Sequence, residues 1–553
     1  MTKNLSLGLA VAILAAIALI YLPVMHADFV WDDWPSMRYL QSDQWLHFVF
    51  RDFNNWVAYF RPLCVAFLAL QIKLFHGAPA PMHGVSLALH LINISLLGLL
   101  ALRISRATDA SKNRRIITSL ACMLIYGVHP ALIEPVAWIG LQADLLVTML
   151  TLCALLATSN IESHRTRAAV LTGLFLLAAC AKESASALPL LVLLFDWILY
   201  ARNGEHGLLA IIRTVVRRNW LAYVGMLVAG TLYLILRHWA LGNVNYPATP
   251  DMKDPLTHFQ EVCFIYLNYL RIILWPISGM NPLHVVDVTP FASLSITTLL
   301  TDAAAIVIVT AGFYLAIRRR SALGFIILAT TTALLPVIRI LPVSFERSLY
   351  HERYAMLAVT MVCALLPLLK WPSHQASSQA RGIAARVLVS TAIFFWLAFS
   401  IIDVRVIVPK WRNDTTLWEW ALAINPDSTQ AKDNLLSVYV QTGDLKSAQA
   451  LADKLLADPN VCASCMLHLA RIALNHNDLH RAATALDRAA GTSLVRNSPE
   501  ARQLYYRELG KLLVIQGRYP EATQALNAAI ALKPDDMEAT QYLTKANAMQ
   551  KQL

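Results

Sequence analysis

Apolar runs long enough to cross a bilayer recur along the chain up to about residue 405 and then stop. A helix that crosses the hydrocarbon core needs about 20 apolar residues. On that measure the pattern predicts about eleven spans. They fall near residues 5–25, 84–104, 116–129, 143–160, 167–181, 187–201, 219–240, 296–317, 321–339, 353–371 and 386–407. The pattern leaves open whether 259–276 also crosses.

The last part of the chain has the polar character of a water-soluble helical domain with an internal period. The segments QTGDLKSA (441–448) and NHNDLHRA (475–482) align 34 residues apart, and IQGRYPEA (515–522) follows after a further 40. A period of 34 residues is typical of tetratricopeptide repeats, whose stacked helices form a concave groove for a partner. The predicted fold is therefore all-α: a polytopic membrane bundle over 1–409, with a first outer loop at 26–83, followed by a repeat solenoid over 410–553.

Composition supports this division and narrows the class of partner. The chain has 553 residues, of which 57% are hydrophobic and 15% charged, as expected of a membrane protein. Its net charge of +11 comes from basic residues in short loops between apolar runs, where positive charge sets membrane orientation. We expect no nucleic-acid partner. The basic loops share one predicted side, the cytoplasmic one, so the first outer loop and the repeats fall on the other side.

Cysteine and histidine spacing does not predict a metal centre. Cys462 and Cys465 form a lone CxxC, and a zinc site would need two further ligands that the sequence does not offer. The pair is either a local disulfide or two packed thiols. We expect no required cofactor, and the sequence does not decide whether a divalent metal takes part.

Polar and ionisable side chains collect at the predicted outer ends of the spans. Charged groups beside spans are costly and usually face a bundle interior or a cavity, so their convergence on one side favours a functional site. The set comprises Asp32, Asp33, Tyr59, Arg61, His129, Glu134, Lys182, Glu183, Arg237, Arg347, Glu352, Arg353 and Tyr354.

The chemistry that suits these residue types is transfer from a lipid phosphate. Arginine and lysine at the membrane rim can hold a phosphate whose tail lies in the bilayer. A nearby carboxylate can accept the proton of an attacking hydroxyl. Phosphate leaves readily once its charge is stabilised.

Six segments carry a resemblance to a known family. They are FVWDDW, YFRPL, HPALIEPVAWIGLQADLL, AKESASALPLLVLLFDW, ERYAML and WRNDTTLWEWALAINPDS. In this order, and followed by tetratricopeptide repeats, they resemble the transmembrane and tetratricopeptide repeat-containing protein O-mannosyltransferases and their bacterial relatives, within the GT-C glycosyltransferase superfamily. The resemblance implies an inverting transferase that uses a polyprenyl-phosphate sugar and a non-cytoplasmic protein acceptor. Short loops and the lack of a retention signal favour a bacterial inner membrane, with the repeats in the periplasm.

The resemblance also implies roles for individual residues. Asp32 is expected to be the base and Asp33 its neighbour, although the two roles could be exchanged. The donor phosphate is expected near Lys182, which Glu183 would hold in place. The other expected phosphate ligands are Arg61, Arg237, Arg347 and Arg353. The sugar or acceptor pocket is expected to include His129, Glu134, Glu183, Tyr59, Tyr354 and His90, the last of which also fits a packed core histidine.

Other interpretations stay open at this level. A transferase of the same fold could act on a glycolipid or a cell-envelope glycan, and a non-enzymatic scaffold could use the repeats to gather partners. Asp32 and Asp33 could be a solvated helix end. Trp31 and Trp34 fit an interfacial aromatic belt, or could stack on a sugar ring.

Overall fold

A computed structural model describes most of the chain, and every regular element in the described residues is helical. The described residues are 2–42, 45–50, 59–108, 110–201, 208–242, 254–276, 279–340, 348–369, 379–459 and 461–551. The chain divides into two compact units, Met1–Asn413 and Asp414–Leu553. The division falls close to the predicted domain boundary between residues 409 and 410.

The first unit contains helices α1 to α16. Their bounds are α1 Lys3–Tyr21, α2 Asp33–Leu40, α3 Trp45–Phe50, α4 Pro62–Phe75, α5 Pro79–Ser105, α6 Lys112–Gly127, α7 Ile133–Ala137, α8 Gln142–Asn160, α9 His164–Ala181, α10 Leu188–Asp196, α11 Leu208–Leu241, α12 Pro255–Leu274, α13 Ile296–Ile317, α14 Ala322–Leu334, α15 Met356–Leu365 and α16 Gln379–Ile407. Short 3₁₀ turns join several of them, including Glu183–Ala187 and Glu352–Ala355.

Seven helical segments of the described residues are long and apolar enough to cross a membrane, and they indicate a membrane-embedded protein. They are Lys3–His26, Pro79–Ser105, Ile139–Asn160, Glu183–Tyr200, Leu209–Leu241, Ile296–Ile317 and Val387–Trp411. An eighth results if Lys112–Gly127 and Pro130–Ala137, which meet at an angle of 59°, are counted as one broken span. The break lies at a proline, which cannot continue the backbone hydrogen bonds of the helix.

The predicted number of about eleven spans exceeds what the structure supports by length and composition. The stretches near 321–339 and 353–371 contain helices of only 13 and 10 residues, α14 and α15. The stretch near 167–181 is helix α9, and the open segment 259–276 is helix α12; neither is among the seven. Apolar composition overcounts spans because buried helices of a bundle are as apolar as lipid-facing ones.

Close packing between helices depends on small residues where two backbones approach. Gly98 on α5 faces α6, and a Cβ atom there would lie 2.7 Å from the Met123 side chain. Gly324 on α14 lies directly against the backbone of Ala316 on α13. Such small residues allow close helix approach, which drives helix association in membranes.

The described residues of the second unit form nine helices, among which three successive pairs are each joined by a tight turn. Its helices are α17 Asp414–Ile424, α18 Thr429–Gln441, α19 Leu445–Ala457, α20 Ala463–Asn475, α21 Leu479–Ala490, α22 Ser493–Asn497, α23 Pro499–Ile515, α24 Tyr519–Leu532 and α25 Met537–Gln550. The aligned alanines of the sequence period, Ala448, Ala482 and Ala522, are all buried.

The turn inside each helix pair repeats one backbone feature. Gly443, Asn477 and Gly517 occupy the same position of the aligned segments, and all three have positive φ values of 78°, 59° and 76°. Glycine and asparagine tolerate this left-handed conformation better than other residues. The short helix α22 lies between the second and third pairs and accounts for the longer spacing there. The assignment of these pairs to the tetratricopeptide class stays a prediction.

Cys462 and Cys465 form a disulfide at the start of α20, which settles the alternative that the sequence left open. The Cys462 sulfur also accepts a hydrogen bond from the Cys465 backbone N–H and so caps the helix. Both residues are buried.

Candidate functional site

The acidic pair lies in a tight turn between α1 and α2, and its two carboxylates have different environments. Asp32 is exposed, whereas Asp33 is only 1% exposed. The turn is closed by a backbone hydrogen bond from the Asp33 N–H to the Val30 carbonyl at 3.0 Å. The sequence could not separate the two residues, but the turn does.

Three N–H groups surround the Asp33 carboxylate. Oδ1 accepts hydrogen bonds from Trp138 Nε1 at 3.1 Å and from the Gly140 N–H at 2.8 Å, and Oδ2 accepts one from the Val30 N–H at 3.2 Å. Asp33 therefore ties the turn between α1 and α2 to the segment between α7 and α8. With both oxygens used inside the protein, Asp33 is placed to position the loop, and the exposed Asp32 is the better candidate for the base.

Burial raises the pKa of the Asp33 carboxyl to about 8, and the negative charge of Asp32 adds to this shift. The three N–H donors act in the opposite direction, because they favour the anion. A raised pKa in the folded state means that ionising Asp33 costs folding free energy.

A pH series should reveal this cost. The neutral form of Asp33 stabilises the fold fully below the pKa of an unfolded aspartate, about 4, and the advantage is lost as pH rises to about 8. We therefore expect the melting temperature of the wild type, relative to Asp33→Asn, to fall by several degrees between pH 5 and pH 8, read by scanning fluorimetry in detergent. Asp32→Asn keeps the buried Asp33 carboxyl and should show a smaller fall in melting temperature with pH than the wild type, because the Asp32 charge that helps to raise the Asp33 pKa is absent. If the difference in melting temperature between the wild type and Asp33→Asn does not change with pH, the N–H donors keep Asp33 ionised over the whole range.

Lys182 forms a buried ion pair with Asp144 of α8. Its Nζ lies 2.6 Å from Oδ1 and 2.5 Å from Oδ2 of that carboxylate, and both side chains are only 6% exposed. The expectation that Glu183 holds Lys182 is therefore wrong. The reason is geometric: the Lys182 backbone is extended where α9 ends, and Glu183 begins the 3₁₀ turn that follows, so the neighbours contact different partners.

Glu183 instead joins two arginines. Arg61 Nε donates to Glu183 Oε2 at 2.8 Å, and Arg237 Nη1 donates to Oε1 at 3.3 Å. The Arg61 guanidinium also lies 4.1 Å from the centre of the Tyr59 ring. Arg61 and Glu183 are 21% and 31% exposed, so this end of the site is partly exposed.

Arg353 donates two hydrogen bonds to the carboxylate of Glu134 in α7. The carboxylate accepts hydrogen bonds from the Arg353 backbone N–H at 3.0 Å and from its Nη1 at 2.5 Å. The same guanidinium lies 4.7 Å from the centre of the Tyr354 ring and 5.4 Å from that of Trp138.

These pairs form one continuous cluster, which we term the charged network: Arg61, Glu183, Arg237, Lys182, Asp144, Arg353 and Glu134. Tyr354 connects the Lys182 pair with the Arg353 pair. The centre of its ring lies 4.9 Å from Lys182 Nζ and 4.7 Å from the Arg353 guanidinium. Trp138 links the network to the acidic turn through its hydrogen bond to Asp33. Four cations and three carboxylates make up the charged network, so an anionic ligand would complement it.

Three predicted site residues lie elsewhere or outside the described residues. His129 caps the turn after α6, with Nδ1 accepting from the Ala131 N–H at 3.2 Å and Nε2 donating to the Ile273 carbonyl at 3.0 Å. His90 is buried against Tyr21 and Tyr126, and its Nε2 contacts the Gly127 carbonyl at 3.1 Å. Arg347 lies outside the described residues.

Sequence reasoning missed Asp144 and Trp138. The signal for Asp144 was present, since a carboxylate near the start of an apolar span needs a partner, and a lysine one span later can provide it. Nothing in the sequence distinguishes Trp138 from the other tryptophans, because its role comes from contacts with Asp33 and Arg353.

A second buried pair supports the segment that carries Arg353. His284 Nε2 lies 2.7 Å from Glu352 Oε1, which also accepts the Asn281 N–H at 3.0 Å. Glu352 directly precedes Arg353, so this pair and Glu134 both anchor the 3₁₀ turn Glu352–Ala355. The sequence pointed to Glu352 but not to His284.

Within the part of the chain that the structure describes, no group of three or more His, Cys, Asp or Glu side chains is arranged to hold a metal ion. Comparisons with family models, with curated proteins and with solved structures gave no match to this chain. The family assignment therefore stays a resemblance carried by the quoted segments.

Proposed function

We propose that this chain is a membrane glycosyltransferase. It would move a monosaccharide from a polyprenyl-phosphate donor to a hydroxyl of a protein acceptor outside the cytoplasm, with inversion at the anomeric carbon. The observation that carries the proposal is the meeting of the charged network with the acidic turn through Trp138. Residues from distant parts of the sequence converge there, and their chemistry suits a phosphate leaving group and a hydroxyl nucleophile.

The charged network supplies the phosphate contacts in this proposal. Lys182 offers a point charge, and Arg61 and Arg353 offer forked donors. Their carboxylate partners hold the cations in place before the donor binds, which reduces the reorganisation that binding requires. The exposed end at Arg61 and Glu183 is where a lipid phosphate would enter.

Asp32 supplies the base. The acceptor oxygen attacks the anomeric carbon, the bond from that carbon to the phosphate oxygen breaks, and the phosphate leaves with the bonding electrons. The hydroxyl proton passes to the Asp32 carboxylate. Asp33 holds the turn that presents Asp32, through its three N–H donors. A single displacement from the face opposite the phosphate gives inversion.

The second unit would recruit the acceptor. We assign its helix pairs to the tetratricopeptide class because the 34-residue period coincides with positive-φ turns and buried alanines. Such arrays bind extended segments of partner proteins along a concave face. In this proposal the protein lies in a bacterial inner membrane, and the second unit lies in the periplasm.

Intact-mass comparison tests the proposal. We expect cells that express the chain to carry a hexose-sized or pentose-sized mass addition on at least one periplasmic or pilus-type protein. The addition should be absent from cells that lack the chain and from cells that express Asp32→Asn. A change confined to surface glycolipid would contradict a protein acceptor, and no change in either fraction would contradict the glycosyltransferase proposal.

A further inference from the structure

A cavity of about 450 Å³ lies between the C-terminal ends of α2 and α4. Its volume is in the range of small-ligand sites in proteins. The lining combines apolar, polar, aromatic and basic side chains, including Gln41, Ser42, Trp45, Ile72, Lys73 and His76. None of these residues belongs to the acidic turn or to the charged network, so the cavity is a separate feature of the molecule.

The end of α4 gives this cavity its shape. The chain leaves the helix through two successive left-handed residues, His76 with φ +53° and Gly77 with φ +72°, and both backbone N–H groups donate to the Ile72 carbonyl. A Cβ atom on Gly77 would lie 2.7 Å from Gln41 Nε2, so the turn packs closely against the end of α2. Left-handed residues other than glycine are uncommon, and such conformations concentrate at functional sites.

Lys73 supplies a positive charge at the wall of the cavity. Its Nζ lies 3.6 Å from the centre of the Trp45 ring, and this cation–π contact holds the ammonium group in place. An ammonium has three N–H donors, of which the ring face takes one. His76, three residues on, adds an imidazole that can also donate to an anion. The described residues that line the cavity include no carboxylate, so its chemistry suits a phosphate.

The cavity lies close to the end of a membrane span. His76 comes three residues before the candidate span Pro79–Ser105, a helix of 27 residues. Such a helix is about 40 Å long and the hydrocarbon core is about 30 Å thick, so the ends of the helix reach the lipid headgroups. Beside Lys73, α4 exposes the side chains of Leu70 and Leu74, which are 53% and 62% exposed. The cation therefore lies next to apolar side chains that can contact acyl chains.

We propose that this cavity binds the headgroup of an anionic phospholipid, of which phosphatidylglycerol has the matching chemistry. Lys73 and His76 contact the phosphate, and the Gln41 amide and Ser42 hydroxyl contact the hydroxyls of the glycerol headgroup. An acidic protein segment would offer the same charge, but it would not account for the leucines that α4 exposes beside the cavity. The inference does not depend on the proposed function.

Lipid titration of the full-length protein, read by native mass spectrometry, tests the inference. The protein in detergent is stripped of co-purified lipid and titrated with phosphatidylglycerol or with phosphatidylcholine of the same acyl chains. For the wild type we expect one phosphatidylglycerol to bind about tenfold more tightly than phosphatidylcholine, the effect of one charge-assisted contact. Lys73→Gln should bind the two lipids about equally. Lys73→Arg keeps the cation and should keep the preference.

Lys112 provides the matched control. It is an exposed lysine at the first position of α6, and it does not line the cavity. Lys112→Gln removes the same charge from the protein and should keep the wild-type preference for phosphatidylglycerol. If Lys112→Gln loses the preference as Lys73→Gln does, binding follows the overall charge of the protein and the inference is wrong.

Two further results would overturn the inference. One is a wild type without preference for phosphatidylglycerol, or a Lys73→Gln variant that keeps the preference. The other comes from a soluble glutamate-rich peptide used as a competing probe. If that peptide displaces phosphatidylglycerol from the wild type and binds Lys73→Gln at least tenfold more weakly, the cavity serves an acidic protein segment. None of these measurements involves sugar transfer, so the proposed function is tested separately.

Discussion

Replacing Asp32 with asparagine should reduce kcat for sugar transfer by about 10²- to 10⁴-fold, the usual contribution of a positioned general base. Asparagine has nearly the same shape but cannot accept the proton of the attacking hydroxyl. Because Asp32 is exposed and the cations of the charged network have other carboxylate partners, KM for the donor lipid should change little. The measurement is transfer in proteoliposomes, from a glycosyl undecaprenyl phosphate to the acceptor found by mass comparison.

Two matched variants make the result for Asp32 interpretable. Asp33→Asn alters the buried neighbour. Its remaining oxygen can still accept from Trp138 and Gly140, but the new NH₂ group faces the Val30 N–H and cannot accept from it. The turn should therefore loosen, and the protein should lose thermal stability. Asp32→Asn should lose no thermal stability. Unchanged transfer in Asp32→Asn would contradict its role as the base and would favour the non-enzymatic scaffold. If transfer is lost in Asp33→Asn but not in Asp32→Asn, then Asp33 is the base and Asp32 is its neighbour.

The sequence predicted the all-helical class and the participants of the site better than it predicted their pairing. Apolar run length marks helices whatever surrounds them, but it cannot separate a lipid-facing span from a short buried helix such as α15. Charged residues beside spans pointed to Lys182 and Arg353, because charge next to hydrocarbon needs a reason.

The pairing could not be predicted because it depends on how the segments pack. Lys182 and Glu183 are neighbours in sequence, yet they contact Asp144 and Arg61, respectively. Likewise, Asp32 and Asp33 are chemically identical in the sequence. They differ only because the turn buries one of them under the Trp138 N–H and the Gly140 N–H.

Replacing Lys182 with methionine should both destabilise the protein and abolish transfer. The change leaves Asp144 as an unpaired carboxylate in a site where both side chains are 6% exposed. Removing one partner of a buried ion pair typically costs about 3–5 kcal/mol of folding free energy. Without Lys182 the donor phosphate would also lose a direct cationic contact. Thermal unfolding in detergent and donor-lipid binding measure the two effects separately.

A double substitution separates the structural role of Lys182 from its proposed role at the phosphate. In Lys182→Met with Asp144→Asn no charge is left unpaired, and the neutral pair should recover most of the lost stability. If Lys182 contacts the donor phosphate, the recovered protein should still bind the donor lipid weakly and transfer no sugar. Recovery of transfer together with stability would instead show that Lys182 serves only as the counter-ion of Asp144, and the phosphate would then have to be held by Arg61, Arg237 and Arg353.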